Sequence, residues 1–153
     1  MKSLKFLSTA TLITVASMTT SLVRAHGDEV HAPQAAPHGG QIAVAGTYHL
    51  ELLVSKDSKE AKDNPVVVFV TDQTGGKVAI PGASGTATIL SGKTKSTATL
   101  TADGENRLKG SASYASTPDM KVIVSVTVPG KEAVQARFTP LAAPMADHSG
   151  HKM

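Results

Sequence analysis

Tyr48-His49-Leu50-Glu51-Leu52-Leu53-Val54-Ser55 is the stretch that decides the fold class. Tyr48, Leu50, Leu52 and Val54 alternate with His49, Glu51 and Leu53, the two-residue period of a strand with one face on a core. Upstream, Gly46-Thr47 separates it from Gln41-Ala45, and a two-residue turn there sets Ala45 opposite Tyr48. Downstream the same grammar recurs. Strands are expected at Val66-Thr71, Lys77-Ile80, Gly85-Leu90, Ser96-Thr101, Arg107-Ser113, Lys121-Val128 and Ala133-Thr139. Turn signals divide them: Gly75-Gly76, Pro81-Gly82, Ser91-Gly92, Asp103-Gly104 and Pro129-Gly130. Short strands at this spacing predict an all-β domain, an antiparallel Ig-like β-sandwich over residues 38–140. With three Phe, one of them near the N-terminus, and no Trp, its core must be aliphatic.

The segments flanking this core lack any hydrophobic period. Residues 1–25 read as a signal peptide. Lys2 and Lys5 form a positive start, Phe6 to Val23 an apolar stretch broken by hydroxyls, and Val23-Arg24-Ala25 a cleavage site. Cleavage would remove 25 of 153 residues and leave 128. Three of the 15 Lys and Arg would leave with it (Lys2, Lys5, Arg24), so 12 face 12 Asp and Glu. The basic balance thus belongs to the export signal, which argues against nucleic acid as a partner. No second long apolar run follows, so no stable membrane insertion is expected after cleavage, and the expected location is periplasmic. Residues 26–37 and 141–153 read as flexible tails.

The histidines concentrate at these tails. His26, His31, His148 and His151 lie in them, His38 sits where the arm meets the sheet, and His49 is on the core strand. Imidazole suits borderline ions such as Cu(II), Zn(II) or Ni(II), and thioether suits softer ones. His148-x-x-His151 flanked by Met145 and Met153 is a mixed set of both. Short histidine tracts in tails are also often solvated and idle. Cleavage after Ala25 would make His26 the N-terminus, where α-amine and imidazole can chelate one Cu(II) with His31 or His38. His49 and Glu51 share one face of their strand, as paired ligands or as a solvated pair. If the first hairpin ran on regularly, His38 and His49 would lie roughly 20 Å apart, and they could share an ion only if Gly39-Gly40 folded back. There is no Cys, no Gly-x-Ser-x-Gly elbow and no phosphate-binding glycine loop. An enzyme is therefore not expected. A copper oxygenase built on His26 would need a substrate face that so few aromatics hardly provide.

Pro37-His38-Gly39-Gly40-Gln41, followed by Gly46-Thr47-Tyr48-His49-Leu50-Glu51-Leu52, resembles small periplasmic proteins encoded with bacterial heavy-metal efflux systems, and a related domain of their periplasmic adaptor subunits. The likeness continues through Val67-Thr71 with Asp72, Gly82-Ala83-Ser84-Gly85-Thr86-Ala87, Asn106-Arg107-Leu108 and Ala136-Arg137-Phe138, covering most of residues 37–139. The resemblance implies an all-β module handling copper, silver, zinc, cobalt or nickel, with His38, His49 and Glu51 at the family's His-Gly-Gly and His-x-Glu positions. The chain lacks an adaptor's helical hairpin and lipoyl-like domain, so it would stand alone. The expected function is transition-metal resistance or delivery, copper foremost, with ions passed to an efflux pump or adaptor subunit. The alternative is a metal-independent sandwich that docks on an envelope or efflux protein.

Overall fold

A computed structural model of the chain describes residues 36–143. They form eight antiparallel strands and no helix: β1 (Gln41–Ala45), β2 (Tyr48–Val54), β3 (Lys62–Asp72), β4 (Ser84–Ser91), β5 (Thr94–Ala102), β6 (Arg107–Tyr114), β7 (Lys121–Thr127) and β8 (Val134–Phe138). Among the described residues no helix is long and apolar enough to cross a membrane. The all-β antiparallel expectation holds. The strands belong to one sheet in the order β1-β2-β3-β6-β5-β4-β7-β8. This differs from the two separate sheets of an immunoglobulin domain.

The single sheet is folded into two layers. β4 pairs with β5 from Ser84↔Thr101 to Ser91↔Thr94, and β3 pairs with β6 from Lys62↔Tyr114 to Phe69↔Arg107. Between β5 and β6, in contrast, only Thr101↔Lys109 and Ala102↔Leu108 are in register. The sheet turns over at this seam, where a Cβ on Gly110 would overlap the Thr99 carbonyl oxygen. At the other side β1 comes to lie against β8, and the Thr139 N–H donates to Gln41 Oε1 at 2.8 Å. The core between the layers is aliphatic, as composition requires. Leu50, Leu52, Val66, Val68, Val70 and Leu108 from one layer meet Ile89, Leu100, Val122, Val124 and Phe138 from the other. Each is the inward member of an alternating pattern.

Two elements differ from the sequence expectation. β3 starts four residues before Val66 and runs through Pro65. There β2 has already ended at Val54↔Val66, so the proline's missing N–H faces an open edge. Lys77–Ile80 is not a strand. It makes one bridge, Thr71↔Lys77, then hangs by Val78 N–H to the Val70 carbonyl and Ile80 N–H to the Glu105 carbonyl. Both edges of β3 are already taken over most of its length, so this segment only caps its end, with Ile80 plugged into the core.

Candidate functional site

The first hairpin has the expected turn and register, with Ala45↔Tyr48, Val44↔His49 and Ile42↔Glu51. Leu50 and Leu52 therefore point inward, and His49 and Glu51 outward. The regular ladder stops at Gln41. Gly39 adopts a left-handed φ of 77°, and a Cβ on Gly40 would overlap the Leu52 carbonyl oxygen. Two glycines thus let the chain fold back over β2, so His38 lies over Glu51 rather than opposite Ser55.

Glu51 is the anchor of this fold-back. Its Oε1 accepts the His38 backbone N–H at 2.8 Å and the Gly40 N–H at 3.0 Å, and its Oε2 lies 2.8 Å from His38 Nδ1. The carboxylate is only 6% exposed, whereas the His38 side chain is 41% exposed. The ring also stacks on Phe69, centroids 3.7 Å apart and planes 4° from parallel. Phe69 stands opposite Glu51 on β3. A carboxylate at its edge and an aromatic against its face fix the ring's orientation. A carboxylate at Nδ1 favours the tautomer that carries its proton there and leaves the Nε2 lone pair free, the arrangement in which a carboxylate orients a metal-ligating imidazole.

The structure places Glu51 with His38 and not with His49. Glu51 is buried, and both its oxygens are engaged by His38 and Gly40. His49 sits two residues back on the same face, between Val44 and Thr71, and no hydrogen bond joins its ring to Glu51. Among the described residues no group of three or more His, Cys, Asp or Glu side chains converges as a complete metal site. His26, His31, Met145, His148, His151 and Met153 lie outside the described residues, as does the signal-peptide cleavage site.

A shallow cleft of about 250 Å³ borders His38, lined by Gly40, Leu52, Val54, Lys56 and Pro140 among others. Lys56 Nζ donates to the Gly39 carbonyl at 3.0 Å, holding its rim. Pro140 is the last residue before the C-terminal tail. The fold thus brings the roots of both tails to one corner, tied by the bond between Thr139 and Gln41. Phe69, Lys56 and Pro140 were missed as members of this corner. None carries a motif, and each arrives through a long-range pairing.

No family model matches the chain, and neither a curated protein nor a solved structure matches it.

Proposed function

We propose that the protein is an exported, periplasmic carrier of a transition-metal ion, copper foremost, which passes the ion to an efflux pump or adaptor subunit. The observation that carries this reading is the corner just described. His38 offers an oriented Nε2, and both histidine-bearing tails start beside it. His31 lies seven residues before His38, a reach of at most about 25 Å, and His148 lies eight after Pro140, at most about 29 Å. Imidazoles from both tails can therefore close on an ion that His38 holds, with Met145 and Met153 as softer donors. A site assembled mainly from tails suits a carrier, because ligands exchange one at a time.

Calorimetric titration with Cu(II) tests this. The full chain, His38→Ala, a chain ending at Pro140 and one starting at Pro37 are compared. The expected result is a loss of affinity in all three variants. Equal weak binding by all four would defeat the metal reading.

A second reading is favoured by the outward face of β1, β2 and β3. Val44 is 57% exposed with Ile42 beside it on β1, and two rows further along the same face Leu53 and Val67 form a second apolar pair, each partly covered. A sheet's solvent side is ordinarily polar, and a clustered apolar patch marks a contact surface. A metal-independent module would dock through this face. Retention of an envelope partner by a chain trimmed of both tails, in the presence of chelator, would select it.

A further inference from the structure

The outward face of the opposite layer has a different chemistry. Along β5, β4, β7 and β8 the side chains alternating with the core fall into cross-strand rows. One row is Thr99–Thr86–Ser125–Gln135. The next is Thr97–Thr88–Ile123–Arg137, and beyond it come Lys95, Leu90 and Lys121. The rows are largely open to solvent: Thr86, Thr99, Lys95, Lys121 and Arg137 are all exposed. No outward position on these four strands is a carboxylate. Among the described residues the ion pairs are His38–Glu51 and Arg107–Asp103, so Lys95, Lys121 and Arg137 have no acidic partner in contact. Asp119, in the loop before β7, is the acid that feels Lys121. Its carboxyl is held below the usual range chiefly by the Thr117 hydroxyl, with Lys121 contributing least.

Spacing narrows the ligand further. Adjacent strands lie about 4.8 Å apart and successive rows about 6.6 Å apart. The row Thr99–Thr86–Ser125–Gln135 therefore sets four hydrogen-bonding side chains at a step close to the length of one hexose unit. Hydroxyls and an amide both donate and accept, as a sugar's own hydroxyls do. On these four strands the cations lie to one side of that row, Arg137 in the next row and Lys95 and Lys121 in the one after, while Lys109 of β6, opposite Thr101, stands on the other side. A nucleic acid would call for aromatic stacking platforms and a longer cationic track, and this face has neither. We infer that the outward face of β5-β4-β7-β8 binds a linear acidic polysaccharide lying across the strands, with the sugar hydroxyls on the Thr99–Thr86–Ser125–Gln135 row and the carboxylates on Lys95, Lys121 and Arg137.

The test uses the full chain and polygalacturonate as probe, with neutral dextran and inorganic polyphosphate as comparisons, at two salt concentrations. Two variants are made: Lys95→Gln/Lys121→Gln/Arg137→Gln, and Thr86→Val/Thr99→Val, which keeps side-chain shape and strand preference. Thermal melts establish that both are folded. The expected result is polygalacturonate binding that weakens with salt and falls tenfold or more in the charge variant. It should also fall at least threefold in the valine variant, whose charge is unchanged, and dextran should not bind. The inference is overturned if polygalacturonate does not bind, or if polyphosphate binds as tightly and the valine variant loses nothing, since that is unspecific attraction to any polyanion. Because none of these residues lines the cleft at His38, the outcome is read separately from copper binding.

Discussion

At the scale of single residues, Glu51 carries the most consequence. It was legible as an outward carboxylate two positions from His49, but its partners were not, because the Gly39-Gly40 reversal that buries it is a matter of backbone path. Glu51→Gln turns one of its two acceptors into a donor. Either the His38 and Gly40 N–H groups or the His38 ring must then face an N–H. The expected cost is about 1–3 kcal/mol, read by urea unfolding, and the His38 ring nitrogens should lose their single-tautomer NMR pattern. An unchanged pattern would mean that Glu51 does not orient the ring. Tyr114 is the second such residue. Its hydroxyl donates to the Pro65 carbonyl at 2.6 Å and accepts the Ser55 N–H at 3.0 Å. Burial pushes its pKa above the usual phenol value, with the hydrogen bond to Ser55 opposing. A raised folded-state pKa means that the unfolded chain loses its proton first. Stability from this group is therefore complete below about pH 10 and declines as pH rises beyond it. Tyr114→Phe should cost about 1–3 kcal/mol at neutral pH and flatten that alkaline decline, both visible in melts from pH 7 to 11.

Among the elements, period and turn chemistry were enough for most strands and not enough for their assembly. β1 has the expected bounds, and the Gly46-Thr47 turn sets its register. Both depend on neighbours in sequence. Pro65 hid the start of β3, because whether a proline is tolerated depends on which flank of the strand is paired. Val78 and Ile80 hid the opposite case: alternation without a free edge to pair with makes a plug, not a strand. Gly110 is the position where sheet assembly hinges on one atom. Its Cα faces the Thr99 backbone at the seam between β5 and β6, and a backbone carbonyl cannot swing aside as a side chain can. Gly110→Ala should therefore cost about 3 kcal/mol. Gly92 in the β4–β5 turn has a φ of 57° and open space around it, so Gly92→Ala should cost only about 1 kcal/mol of left-handed strain. Denaturation midpoints of the two variants give the comparison. A Gly110→Ala protein no less stable than Gly92→Ala would show that the seam adjusts.

For the whole molecule, the meeting of the two tail roots was out of reach of sequence reading, since it rests on contacts such as Gln41 with Thr139, 98 positions apart. That meeting makes a prediction about thermal stability. The strands and core close without any histidine ligand, so the chelator-treated protein should keep its β-sheet circular dichroism and melt cooperatively. Whether Cu(II) then raises the melting temperature depends on where the ligands lie. A ligand raises stability only through the difference between its affinities for the folded and unfolded chain. An ion held by His26 and His31 alone finds the same short segment in both states, and the melting temperature should not move. An ion bridging His38 with His148 or His151 is different. In the unfolded chain it would have to close a loop of about 110 residues, at an entropic cost of roughly 4–5 kcal/mol if it behaves like a cross-link. In the folded chain β1 and β8 have already closed that loop. Each kcal/mol of difference is worth about 4–8 °C in a domain of this size. Saturating Cu(II) should therefore raise the melting temperature by ten degrees or more in the full chain, and by little in a chain ending at Pro140. A full chain that binds Cu(II) tightly with no shift would confine the site to one tail and remove the corner at His38 from it.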